Sequence, residues 1–349
     1  MRLPSRRVSG VSTPTSADPD SGRGAVRRLG PRRFVAVALT AILVGGAAVL
    51  LRPADLGALT STAHPTAGYD QALAALQTLE SRDGADVNPV CRSGATLHGR
   101  RTAKAIVLLH GFTSCPAMWR VLAAQFYERG YNVITVRLPH HGLQDRLTED
   151  LEKLTAGELI QAGDEAVDIA NGFGDEVVVA GISAGGVLTA WLAENRAIAE
   201  GVVINPALTA PHALGVFALP IANALLTAPN QFLWWNSSAK AAIQGPPYAY
   251  PRFPTHALGE VFRLGLSVSS GSHLKPRAQR LVVITTEDDP GTSNEFTGEV
   301  VDAWRSSGAV VVTYSFPKSE ISFHDILSPE QPYQKIDLVY PRVLALADP

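Results

Sequence analysis

Three side chains far apart in the chain have the types needed for acyl-transfer chemistry: a hydroxyl, an imidazole and a carboxylate. The hydroxyl is Ser183, in Gly181-Ile182-Ser183-Ala184-Gly185, between an apolar run ending at Ala180 and a helix-forming stretch from Val187 to Ala193. A G-x-S-x-G sequence at a strand-to-helix junction is a sharp turn that lifts the serine hydroxyl clear of a sheet. A side chain two residues to either side would strike neighbouring backbone. Gly181 and Gly185 are therefore sterically required, and Ser183 is expected in a strained conformation. A serine hydroxyl is a weak nucleophile unless a base takes its proton. Of nine histidines, His324 falls on a loop after the late strand-like run Val310–Phe316, where such a base is needed. His64 and His98 precede the strands, His212, His256 and His273 fall in an irregular middle region, and His140 and His141 follow an earlier strand as candidate pocket residues. The imidazole needs a carboxylate to fix its tautomer and support the imidazolium. The run Leu281–Thr285 leads into Thr286-Glu287-Asp288-Asp289-Pro290, with Asp289 the first choice, Asp288 the second and Glu287 the third.

A tetrahedral acyl intermediate also needs preorganised N–H donors for its oxyanion, each lowering the barrier by about 3 kcal/mol. The residue after the nucleophile, Ala184, supplies one at a helix start. The loop His110-Gly111-Phe112-Thr113, after the run Ala105–Leu109, supplies the other through Phe112, with the freedom of Gly111 turning that N–H inward.

Elements that position these groups follow from hydrophobic periodicity. Helical spacing covers Tyr69–Arg82, Ala117–Glu128, Ala156–Ala170 and the stretch from Pro329 through Leu346. Apolar strand-like runs cover Ala105–Leu109, Asn132–Val136, Glu176–Ala180, Gly201–Asn205, Leu281–Thr285 and Val310–Phe316. Near-continuous apolar strands separated by helices imply a mostly parallel sheet with helices on both faces. Residues 206–277 break the alternation and are rich in proline and aromatics. They read both as a small packed unit and as an inserted helical cap, with Trp234 and Trp235, together with His140, expected to line an apolar pocket.

These pieces resemble the α/β-hydrolase superfamily: His110-Gly111-Phe112, Gly181-Ile182-Ser183-Ala184-Gly185, Asp289 and His324. The resemblance covers residues 88–349, and is strongest to bacterial carboxylesterases and monoacylglycerol-lipase-like hydrolases, with Arg137-Leu138-Pro139-His140-His141-Gly142 at a strand-end loop. It implies an α/β-hydrolase fold, a Ser183–Asp289–His324 triad, an oxyanion hole from Phe112 and Ala184, no cofactor and no metal. The implied reaction is hydrolysis of a carboxylic ester, with an apolar acyl group favoured by the aromatic cap. The chain departs from the family pattern at Thr286, where the acid loop usually has glycine. The same triad also serves aminopeptidases, acyltransferases and perhydrolases, and the cap's single carboxylate, Glu260, ranks the peptidase lower. A catalytically silent binding module is the rival from another class, although its usual mark, loss of the serine or histidine, is missing.

Charge and hydropathy give an address. Of 349 residues, 46% are hydrophobic and 18% charged. Eight arginines against Asp18 and Asp20 make residues 1–33 a tail of net +6, leaving −8 of the formal −2 total for the rest. An acidic body argues against nucleic acid as a partner. The basic tail, expected to be disordered and cytoplasmic, precedes the uncharged run 34–51, expected to be a transmembrane signal-anchor with a cleaved signal peptide as the alternative. Residues 52–87 follow as linker and helix. Either option exports the body, where Cys91 and Cys115 can form a disulfide, favoured over two free thiols.

Overall fold

The computed structural model describes residue 10, residues 31–238 and residues 245–348. The chain divides into two units, Met1–Gly46 and Ala47–Pro349. The apolar run near the N-terminus forms helix α1 (Pro31–Leu50), and its side chains Phe34, Val37, Ile42 and Leu43 are exposed. Helix α1 overlaps the run 34–51 expected to be a transmembrane anchor. The helix takes in Arg32 and Arg33 at one end and stops before Leu51 at the other. Among the described residues no helix is long and apolar enough to cross a membrane. Residues 1–9 and 11–30 of the basic tail, expected to be disordered, lie outside the described residues.

The second unit begins with α2 (Tyr69–Ser81), a short edge strand β1 (Gly94–Thr96), β2 (Thr102–Leu109), α3 (Arg120–Glu128) and β3 (Asn132–Val136). Then come α4 (Ala156–Phe173), β4 (Gly174–Ile182), α5 (Ala184–Asn195) and β5 (Glu200–Ile204). The inserted segment carries α6 (Gly215–Thr227), β6 (Phe232–Trp234), β7 (Arg252–Pro254) and α7 (Thr255–Gly271). The chain returns through β8 (Arg280–Thr286), α8 (Asn294–Ser306), β9 (Val311–Phe316) and α9 (Ile336–Ala347).

Seven strands form one sheet in the order β1-β3-β2-β4-β5-β8-β9, and only β1 runs antiparallel to its neighbour. Side chains alternate across a strand, so an apolar run feeds two cores at once. In β2, Ala105, Val107 and Leu109 join one core with α4, α5 and α8, while Ile106 and Leu108 join a second core with α3 and α9. In β4, Val177 and Val179 divide from Val178, Ala180 and Ile182 in the same way. This two-sided burial is why the strands are legible as near-continuous apolar runs. The fold is an α/β-hydrolase fold, a mostly parallel sheet with helices on both faces.

Strand order reverses at β2: the chain steps outward to β3 on one side, then crosses to β4 on the other. In an open α/β sheet such a switch point leaves a crevice beyond the carboxyl ends of the two strands. Leu109 of β2 lies in register with Gly181 of β4. The loop after β2 and the turn after β4 therefore emerge side by side. Over this edge sits the cap, in which α6 packs on α7 and β6 pairs antiparallel with β7.

The segment before α2 is strapped to α4 by a buried ion cluster. Arg196 reaches Asp164 Oδ1 at 2.6 Å and also bonds Asp168 Oδ1. Asp164 accepts from Ser61 Oγ at 2.8 Å and Thr62 N at 2.8 Å, and Asp168 accepts from His64 N at 2.7 Å. Side-chain exposure is 5% for Arg196 and 3% for Asp164. Removing the cation strands two buried carboxylates, which costs about 3–5 kcal/mol. Arg196→Met is therefore expected to lower the unfolding free energy by that amount in urea titrations at neutral pH. Ser61→Ala, which deletes one hydrogen bond, is expected to cost about 1 kcal/mol.

Candidate active site

The turn between β4 and α5 is closed by backbone contacts. A Cβ on Gly181 would lie 2.1 Å from the Gly185 carbonyl oxygen, and one on Gly185 would lie 2.2 Å from the Leu109 carbonyl oxygen. Neither position tolerates a side chain. Ser183 at the apex has φ 58° and ψ −117°, a region costly for any L-residue. Its amide donates to Ile204 O at 3.0 Å, and its carbonyl accepts from Val187 N at 2.9 Å and Ala207 N at 3.2 Å. The strained backbone is thus held from three directions.

His324 Nδ1 lies 2.9 Å from both Asp289 Oδ1 and Asp289 Oδ2. With Nδ1–H donating, Nε2 is left as an acceptor. Asp289 is 1% exposed, and its Oδ1 also accepts from Gly291 N at 2.7 Å. Burial disfavours the His324 imidazolium, but the charge and hydrogen bond of Asp289 outweigh it and hold the ring above its ordinary value. The other two acids of the cluster turn elsewhere. Glu287 accepts from Lys318 N, and Asp288 pairs with Lys318 Nζ.

Two residues that the sequence reading did not single out frame this pair. Asn205, directly after β5, has φ 39°, donates to His324 O at 2.9 Å and accepts from Thr286 N at 2.9 Å. It ties the ends of β5 and β8 to the histidine loop. The available signal was a polar residue closing an apolar strand. Gly291 lies under the imidazole, where a Cβ would be 2.6 Å from His324 Cγ.

The loop after β2 is pinned carbonyl by carbonyl. Leu138 N donates to His110 Nε2 at 3.0 Å, so His110 carries its proton on Nδ1 and donates it to Gly111 O at 2.8 Å. Complete burial, with His141 nearby, holds His110 well below the ordinary imidazole range, so it stays neutral. Burial likewise pushes His141 down to about 4. A trans peptide points its C=O and N–H in opposite directions. Anchoring Gly111 O on His110 therefore turns the Phe112 N–H the other way. Neither Phe112 N nor Ala184 N has an acceptor among the described residues. Positive φ in this loop occurs at Thr113, with φ 61°, and not at Gly111. A Cβ on Gly111 would lie 3.4 Å from Ser183 Cβ, at the edge of ordinary van der Waals contact.

Ser183, His324 and Phe112 open on one cavity of about 710 Å³. Its far walls are Ile221 and Leu225 of α6 and Leu258, Val261 and Phe262 of α7. A smaller hollow of about 240 Å³ beside α8 and β9 holds none of the three. Trp235 lines the large cavity, but Trp234 and His140 do not. Trp234 ends β6, so its side chain falls on the opposite face from its neighbour. His140 is taken up by two carboxylates, with Nδ1 2.8 Å from Asp150 and Nε2 3.2 Å from Glu158. Cys91 and Cys115 form a disulfide that joins the segment before β1 to the far end of the Phe112 loop.

Relatives agree with this architecture. The chain is 28% identical over 180 residues to a thermostable monoacylglycerol lipase of Bacillus sp. (strain H-257), covering 50% of this chain and 67% of that one. Among solved structures, a metagenome-derived lipolytic enzyme superposes with a TM-score of 0.54 at 24% identity, covering 74% of this chain and 98% of its own. The monoacylglycerol lipase of Paleococcus ferrophilus superposes with a TM-score of 0.53 at 16% identity, covering 73% and 97%. The model of the alpha/beta hydrolase family matches residues 106–316, from β2 through β9, and with the switch-point crevice and the strained serine turn inside that span the chain belongs to this family.

Proposed function

We propose that the protein is a serine hydrolase of carboxylic esters working through an acyl-enzyme. The observation that carries this reading is the buried Asp289 bonded to His324 Nδ1, with His324 and the strained Ser183 opening on one cavity. Ser183 Oγ attacks the ester carbonyl as His324 Nε2 takes its proton. The resulting oxyanion accepts from Phe112 N–H and Ala184 N–H. Collapse expels the alcohol, which takes the proton from His324. Water then attacks the acyl carbon, again giving its proton to His324, and the acid leaves with Ser183 restored.

The aliphatic walls from α6 and α7 suit an apolar acyl chain, and the likeness to a monoacylglycerol lipase puts monoacylglycerols first among substrates to assay. An aminopeptidase needs an acid in the pocket for a free amino terminus. Glu260 instead accepts from Ala156 N and pairs with Arg263, away from the cavity lining, and Asp325, which does line it, is taken up by Leu327 N, Ser328 N and Gln331 Nε2. We also propose an extracytoplasmic location, with the exposed apolar side chains of α1 and the basic tail before them serving as a membrane tether. Recovery of the intact chain in the soluble fraction of its host, without detergent, would remove the tether.

Purified protein exposed to a fluorophosphonate probe is expected to label at Ser183, and Ser183→Ala is expected to abolish both labelling and ester turnover. A p-nitrophenyl ester series should favour medium or long acyl chains over acetate. Equal turnover by wild type and Ser183→Ala would end the reading. The reaction needs neutral His324, so kcat/KM is expected to rise with pH through the raised pKa of that ring, placing the acid limb above that of an ordinary imidazole. Asp289→Asn removes the largest cause of the rise, the Asp289 charge, and leaves the smaller pull of Asp325, so it is expected to move the limb down and cut kcat by about 10⁴.

A further inference from the structure

We propose that Thr113 and the cap residue Trp235 form a latch that sets the oxyanion hole, making both of them positioning residues for the hydrolysis. The inference rests on the ester-hydrolase reading and deepens it: seating of the cap over the acyl cavity and alignment of the Phe112 N–H become one event.

Thr113 is a β-branched residue at φ 61°, a conformation such residues adopt only where their surroundings over-determine it. Half of those surroundings belong to the cap. Trp235 Nε1–H donates to Thr113 Oγ1 at 2.9 Å, and Tyr250 N–H donates to Thr113 O at 2.8 Å. Having accepted from the indole, Thr113 Oγ1 directs its own proton to Phe112 O at 2.6 Å. The hydroxyl therefore relays the indole's position to the carbonyl of the residue that donates to the oxyanion.

A second contact runs in parallel. The Phe112 ring is packed edge-on by Trp235 at 6.4 Å and by Phe253 of the cap at 6.1 Å, while Trp235 lies against Phe253 at 4.2 Å. On the core side, His110 fixes Gly111 O and thereby one plane of the donor peptide. The core holds the peptide before Phe112, and the cap holds the one after it. A preorganised donor must be fixed at both ends to be worth its full effect in the transition state. Trp235 is also 54% exposed, so trimming its N–H leaves no hole in a packed core.

The test is a double-mutant cycle on Trp235→Phe and Thr113→Val, with Thr113→Ser as the variant that keeps the hydroxyl. Each of the first two is expected to lower kcat about tenfold, with KM and thermal midpoint little changed. The double variant is expected to fall no further than the worse single one, because the two groups act through one bond. Thr113→Ser is expected to recover most of the loss. Affinity for a trifluoromethyl ketone, which presents an oxyanion once Ser183 adds to it, should fall in step with kcat, whereas affinity for the product fatty acid should not. A purely structural or substrate-contacting Trp235 would instead change stability or raise KM at constant kcat, and either result overturns the latch. Fluorophosphonate labelling rates of the same variants separate the two readings. Rapid labelling of wild type without ester turnover removes the ester reading and leaves the latch to be judged on labelling rates. Equal kcat and equal labelling in all variants overturns the latch alone.

Discussion

Close packing of backbone against backbone beneath Ser183 is the constraint on which the site depends. Residue 185 approaches the Leu109 carbonyl so closely that no Cβ fits between them, and residue 181 approaches residue 185 in the same way. These contacts pull the start of α5 onto the end of β2. They force Ser183 into a conformation that no free peptide would hold, and they place the Ala184 amide next to the loop that carries Phe112. Parallel pairing of β2 with β4 fixes the registry of this arrangement, Leu109 against Gly181. Ser183 and the Ala184 amide are thus positioned by sheet geometry rather than by flexible side chains.

Electrostatics divides the ionisable groups around the cavity by environment. Asp289, buried and bonded by Gly291 N, faces the His324 imidazole and raises its affinity for a proton. His110 and His141 lie close to the same loop, yet burial without a carboxylate partner keeps them neutral. Among these three rings, the proposed base is the one with a buried acid behind it. The other two serve as hydrogen-bonding framework, and the fixed tautomer of His110 is what orients the Gly111–Phe112 peptide.

Much of this was legible in the chain because its causes are local. Glycines on either side of a serine at the end of an apolar run report a steric requirement, and strands buried on both faces leave runs that need no partner to be recognised. Features set by register or by distant packing were not legible. Trp234 and Trp235 are neighbours, but which of them faces the cavity depends on how β6 pairs with β7, and a shift of one residue would exchange them. Three-residue strands such as β1 have too few positions to show a period. His140 stood where a pocket residue was expected, and the carboxylates that occupy it come from residues 150 and 158, beyond the loop itself. Sequence alone ranked Asp289 ahead of its two acidic neighbours but did not show what occupies them. Lys318 draws those two away, and it lies on the other side of β9 in the chain.

Thr113 shows why the cap does more than cover a hole. A rigid sheet edge positions the serine, but the loop opposite it must bend sharply enough to bring one amide inward, and a bend made with a β-branched residue at positive φ does not hold itself. Its support comes from outside the sheet, from an indole and a backbone amide on the inserted cap. On the proposed reading, acyl selectivity and transition-state stabilisation share structural parts, because the cap that supplies the apolar walls also supplies Trp235 and Tyr250.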